Sequence, residues 1–182
     1  MAQITYANKS TMNENASVPA INKVQASDMN EIKNVVNTNY AEQIIPKSSI
    51  MCNCSSNTDN TSTSASTMIP ITQNLITGSK LRLNSNKIYA DADCTVIIAA
   101  QLYITAGITA ATNSVSIIIR KNGTLYKRAI CPIPNNWRMA QISGVEVKLT
   151  AGDYIDLAFL SGDKTGITCQ SGSDTYITVQ EI

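Results

Sequence analysis

Residues 145–162 read VEVKLTAGDYIDLAFLSG. Two runs rich in Val, Ile, Leu, Tyr and Phe, Val145–Leu149 and Tyr154–Leu160, stand on either side of Ala151-Gly152-Asp153. β-Branched and aromatic side chains suit a pleated strand, whereas Gly and Asp supply the backbone freedom and local hydrogen bonding of a tight turn. The unit reads as strand, turn, strand, and Ser161-Gly162-Asp163 is the next turn.

Working outward, SVSIIIRKNGTLYKRAI (114–130) sets Asn122-Gly123 between the strand-like runs Ser114–Lys121 and Thr124–Ile130. Asn-Gly in that position is the strongest short hairpin signal, because the favoured two-residue turn needs positive φ at both central residues. The longest apolar run, Cys94–Thr105, contains TVIIAAQLYIT. Val, Ile and Tyr stand there where a helix would favour Ala and Glu, which predicts a central strand buried on both faces. Further strands are expected at Ile69–Leu75, Lys80–Leu83, Lys87–Ala90, Arg138–Ile142, Gly166–Gln170 and Thr175–Glu181. About eight to ten strands with no helix between them predict a mainly β fold, an antiparallel two-sheet sandwich or jelly roll.

The first third of the chain differs. Residues 1–20 lack any sustained period and read as an extended arm. INKVQASDMNEIKNVVN (21–37) then places Met29, Ile32, Val35 and Val36 on one helical face, with Ile44 continuing the stripe. Ser27 is positioned as N-cap, Asp28 and Glu31 lie where the helix dipole favours negative charge, and Pro46 stops continuation, so a helix is expected over about 27–42. From Asn53 to Thr67 nearly every residue is Ser, Thr, Asn or Asp. That composition predicts a polar linker (53–68) between an N-terminal segment (1–52) and a β domain (69–182). An isolated helix of about 15 residues is marginal in water, so the stripe needs a partner. Three copies packing Met29, Ile32, Val35 and Val36 around an axis would supply it, as a short coiled coil does; packing against the chain's own β domain is the alternative.

Charge and motifs exclude more than they assign. The 182 residues carry 14 basic and 13 acidic side chains, a net +1, which is no footprint for nucleic acid. No run reaches the roughly 20 apolar residues of a membrane-spanning helix, and MAQITYANKS has no secretory signal pattern, which implies synthesis in a cytoplasm. Five cysteines, Cys52, Cys54, Cys94, Cys131 and Cys169, and no histidine give no complete zinc ligand set; Cys94, Cys131 and Cys169 read as small buried residues and all five as free thiols. Without histidine, the commonest general base and every Ser-His or Cys-His nucleophile pair are missing, so no catalytic residue, metal or cofactor is assigned. Asp91 and Asp93, two apart, read as turn formers before cation ligands. Candidate surface-binding residues are Arg120, Lys121, Lys127 and Arg128 around the hairpin, able to meet an anionic polymer or to act as solvated edge protection, and Trp137, able to stack on a sugar or to fill the core.

Two resemblances follow from these residues. From Val96 to Ile182 the long strand TVIIAAQLYI, the hairpin IIIRKNGTLYKR, the unit AGDYIDLAF and the closing strand DTYITVQEI resemble the C1q/TNF-like jelly roll, over about half of the chain, although the sequence has one Phe and one Trp where the family is rich in aromatics. VPAINKVQASDMNEIKNVVN is similar to a segment near the N-termini of structural proteins of tailed bacteriophages, ahead of fibre-like or receptor-binding domains. Together the resemblances imply a virion component made in the host cytoplasm: a short homotrimeric fibre attached to other virion proteins through its N-terminal segment, with a jelly roll projecting outward to bind host cell-wall carbohydrate. A head fibre or capsid decoration protein with passive adhesion, and a secreted bacterial C1q-like binding module, are the alternatives.

Overall fold

The computed structural model describes residues 26–44, 47–106, 114–132, 138–162 and 165–182. The chain divides into two units, Met1–Pro46 and Lys47–Ile182. In the first, helix α1 runs Ala26–Ile44, slightly longer than the sequence predicts. Its apolar stripe faces solvent, with Ile32 55 % and Val35 52 % exposed and Met29 and Val36 exposed as well. The arm, and the side chains of Ser27 and Ile44, lie outside the described residues.

The second unit is a sandwich of two antiparallel sheets. Its strands are β1 Ser49–Cys54, β2 Thr58–Asp59, β3 Thr67–Met68, β4 Ile71–Thr77, β5 Leu81–Asn84, β6 Lys87–Ala90, β7 Cys94–Ala106, β8 Ser114–Lys121, β9 Thr124–Pro132, β10 Met139–Leu149, β11 Tyr154–Leu160, β12 Thr168–Cys169 and β13 Gly172–Glu181. In one sheet β7 is central: β10 pairs along one side, and β13 followed by β12 along the other, with β1 and β4 beyond β13 and β2 beyond β12. The other sheet runs β5-β6-β11-β8-β9, with β3 also on β11. Ile98, Leu102 and Ile104 of the first sheet and Ile117, Ile119, Ile155 and Phe159 of the second belong to one continuous core.

Three expectations change. First, β7 is not buried on both faces. Val96, Ile98, Ala100, Leu102 and Ile104 are buried, and the intervening residues are not. The doubly buried strands are β8 and β11, where Ser116, Ile118, Asp156 and Ala158 are also enclosed, partly under long basic side chains: Arg128 Nε donates to Ser116 Oγ at 2.8 Å. Second, the polar tract is not a linker between bodies. β1 sits between β13 and β4, so the β unit begins at Lys47, and β2 and β3 lie within the tract itself. It is held by amides and hydroxyls rather than by apolar burial: Asn60 Oδ1 accepts the Ile167 N–H (2.7 Å), Asn57 Oδ1 accepts the Ser171 N–H (2.8 Å), and Asp59 pairs with the Thr168 hydroxyl (2.6 Å). Third, Arg138–Ile142 and Val145–Leu149 form a single strand, β10, whose register against β7 shifts between Ile142 and Val145, where Gly144 takes a φ of 69°.

The two turns most legible in the sequence meet in space. Asn122 and Gly123 adopt φ of 52° and 76°, as the hairpin requires. A Cβ on Gly123 would stand 3.1 Å from the Tyr154 hydroxyl, a second reason for glycine there. Asn122 Nδ2 donates to Asp153 Oδ1 (2.7 Å), and Asn122 Oδ1 accepts the Tyr154 N–H (2.9 Å). Asp153 Oδ2 accepts from both the amide and the hydroxyl of Thr150, each at 2.9 Å, and pairs with Lys121. A few residues along the same strands, Arg120 pairs with Asp156, whose side chain is enclosed.

Both arrangements are measurable. The Asn122 side chain first, then the Thr150 amide, hold the Asp153 carboxyl well below the usual carboxylate range. A group with a depressed folded-state pKa contributes stability that is fully present above its unfolded value of about 4 and is lost as pH falls further. Asp153→Asn should therefore lower the thermal midpoint by about 5 °C at neutral pH, with the gap to wild type narrowing as pH drops below about 4. Arg120→Met leaves Asp156 enclosed and unpaired, and should cost about 3–5 kcal/mol in urea unfolding, most of it recovered when Asp156→Leu is added.

Candidate functional site

Because β7 alternates, its second set of side chains lies on an open sheet face. Ile97 is 38 % exposed, and Ala99, Gln101 and Tyr103 are half-buried. Directly opposite residues on paired strands share a face, so Thr178 and Tyr176 of β13 lie beside Ala99 and Gln101, Met51 and Asn53 of β1 beside Thr178 and Tyr176, and Met139 and Gln141 of β10 beside Tyr103 and Gln101. The result is a four-strand face with methionine, tyrosine, isoleucine and alanine around a short amide chain, in which Gln141 Nε2 donates to Gln101 Oε1 and Gln101 Nε2 to the Asp174 carbonyl (2.9 Å). At its border Asn53 Oδ1 is shielded from solvent and accepts no hydrogen bond.

A second surface lies where the sheets end. β9 and β10 are the outer strands of their respective sheets on this side, and among the described residues neither edge is paired. Most of β9 is exposed, with Leu125, Tyr126 and Ile130 all open to solvent and Ile130 60 % exposed. Between the two strands runs a cleft of ≈ 510 Å³ whose lining includes Tyr126, Lys127, Ile142 and Glu146, followed by a smaller one of ≈ 270 Å³ lined by Ile130, Pro132 and Met139 among others. The Tyr126 hydroxyl crosses the gap to the Glu146 carbonyl (2.9 Å). An exposed apolar edge strand is a template for association unless something covers it.

The basic residues around the hairpin do not form one patch. Arg120 is engaged by Asp156, and Lys121 by Asp153 and the Lys148 carbonyl. Arg128 lies on Ser116, and Lys127 lines the cleft. Two of the four cations are thus already neutralised, which removes the concentrated charge an anionic polymer would need. Trp137 lies outside the described residues. Asp91 pairs with Arg82, and Asp93 accepts the Ala151 N–H at 2.9 Å, so both serve turns. Cys52, Cys54 and Cys169 are buried, Cys94 and Cys131 only half-buried, contrary to expectation for the latter two. Cys52 and Cys54 take alternate, core-facing positions of β1, and burial pushes the Cys52 thiol up to about 11. Sequence reasoning missed the open face and the β9 edge; the signal for the first was the largely apolar character of β7, which the described residues leave half uncovered.

The architecture is one already known from solved structures. The chain is similar to murine APRIL at pH 5.0, with a TM-score of 0.60 at 12 % identity over 75 % of this chain and 100 % of that one, and to the same protein at pH 8.0, with a TM-score of 0.59 at 13 % identity and the same coverage. No family model and no curated protein matches the sequence. Identities this low carry the fold alone, and the fold is that of a TNF-like jelly roll preceded by one helix.

Proposed function

We propose that this chain is a structural protein of a phage virion, made in the host cytoplasm: a short homotrimeric fibre whose N-terminal part attaches to other virion proteins and whose jelly roll projects outward to bind host-surface carbohydrate. The observation that carries self-assembly is the uncovered half of β7, an apolar strand whose outward residues Ile97, Ala99 and Tyr103 lie on an open face. The described residues leave two different surfaces uncovered, that face and the β9–β10 edge. A contact of one copy's edge with the next copy's face is head to tail, and such a contact builds a ring where the rotation between copies closes and a filament where it does not. The resemblance to C1q/TNF-like domains supports a ring of three. The exposed stripe of α1 supplies a second seam, because three helices packing Met29, Ile32, Val35 and Val36 together would cover what one leaves in water.

The virion assignment rests on the likeness of residues 18–37 to phage structural proteins; among the described residues, the carboxylates Asp91, Asp93, Asp153 and Asp156 are each committed to a turn or an ion pair. Carbohydrate binding falls to the outward loops and to Trp137 and Lys127.

Two variants test the parts separately. Ala99→Arg places a charge at the centre of the open face and should convert the assembly to monomers at micromolar concentration without changing the chain's circular dichroism. Ile32→Asp with Val35→Asp should abolish incorporation into particles while the β unit stays folded. An unchanged mass for the first variant would remove the sheet face from the interface; normal incorporation of the second would remove the helix from attachment.

A further inference from the structure

Among the chain's asparagines only Asn122 is followed by glycine. The fold imposes that pair. Gly123 takes a φ of 76°, and a Cβ there would crowd the Tyr154 hydroxyl. Asn122 takes a φ of 52° and uses both ends of its amide: Nδ2 donates to Asp153 Oδ1 (2.7 Å), and Oδ1 accepts the Tyr154 N–H (2.9 Å). An aspartate at this position could accept from Tyr154 but, once ionised, could not donate to Asp153. The same pair is chemically labile, because a glycine nitrogen has no side chain of its own to keep it from the preceding carboxamide. Asn122 and Gly123 are both exposed to the water the reaction consumes.

The geometry also restrains the reaction. Attack requires the Asn122 carboxamide to lie over the Gly123 nitrogen, and its two polar atoms are instead tied to Asp153 and Tyr154. Asp153 is itself held by Thr150 and Lys121, so the clamp is built from three segments of the chain. We propose that Asn122 is a deamidation site held in check by this clamp, and that its conversion irreversibly frees the β8–β9 hairpin from the turn between β10 and β11. When the clamp opens locally, the Gly123 nitrogen attacks the Asn122 side-chain carbonyl carbon. The C–N bond to the amide nitrogen breaks, and ammonia leaves with the proton lost by Gly123. Water then opens the cyclic imide at either carbonyl, giving aspartate or the backbone-lengthened isoaspartate; one water is consumed and one ammonia released. Either product sets a carboxylate where Nδ2 had donated, facing the Asp153 carboxylate, and like charges at that separation repel. Isoaspartate also adds a backbone methylene to a turn whose two residues fix the β8–β9 register. This site is independent of the proposed assembly.

The test incubates the full chain in mildly alkaline buffer, folded and in unfolding urea, and follows aspartate and isoaspartate at each asparagine by peptide mapping. In urea Asn122 should convert before every other asparagine, and in the folded chain at least about tenfold more slowly. Asp153→Ala, checked for folding by circular dichroism, should speed conversion in buffer by about tenfold, because it removes a charge-assisted hydrogen bond from the clamp. Asn122→Asp reproduces one product directly. Its thermal midpoint should fall by about 5 °C. Exchange of its residue-122 amide, which in the parent chain donates to the Tyr154 carbonyl (3.0 Å), should quicken by about tenfold. Equal conversion rates in the folded and unfolded chain, or another asparagine converting first in urea, would overturn the clamped site. An Asn122→Asp protein with unchanged midpoint and exchange would overturn the release of the hairpin.

Discussion

The constraint on which the rest depends is the two-residue period of β7. A strand has two faces, and in this sandwich only one of them can reach the core. Val96, Ile98, Ala100, Leu102 and Ile104 fill it, fixing the register of β10 on one side and β13 on the other. A one-residue slip would exchange that set for Thr95, Ile97, Ala99, Gln101, Tyr103 and Thr105, and both neighbours would lose their partners. The same register sends Ile97, Ala99 and Tyr103 outward, where no strand of the described chain covers them. Core and open face are two consequences of one alternation.

Polar interactions then fix what burial leaves undetermined. Apolar contact is non-directional and would tolerate several arrangements of turns around the same core. The Asn122–Asp153–Thr150 cluster is directional, and it ties the β8–β9 hairpin to the turn between β10 and β11. The polar tract is handled the same way, with Asn57, Asp59 and Asn60 satisfying backbone and hydroxyl groups around β12. Near the chain end, Lys80 pairs with Glu181, whose carboxylate also accepts the Ser48 N–H, and this gathers β13 with the residues just before β1 and β5.

Much of this was legible from residue types. Asn122-Gly123 and Ala151-Gly152-Asp153 announce turns because few other residues tolerate the backbone they need, and the runs beside them end within two residues of the observed strands. β1 was hidden because its six residues, SIMCNC, adjoin a tract with the composition of a linker. Its alternation of Ile50, Cys52 and Cys54 was present, but cysteine is an ambiguous marker of burial. Arg120 is deceptive for a related reason: a basic residue beside a hairpin tip is ordinarily solvated, and its partner Asp156 lies far along the chain, in another strand. From sequence the open face reads as buried, because an apolar strand states how much surface it must cover without stating which molecule covers it.

That last point makes the central claim testable at once. Sedimentation equilibrium of the full chain at micromolar concentration measures whether the outward half of β7 is covered by further copies. The account predicts three times the 19.6 kDa chain mass. A mass of one chain, stable to higher concentration, would contradict it and leave the open face without its proposed partner.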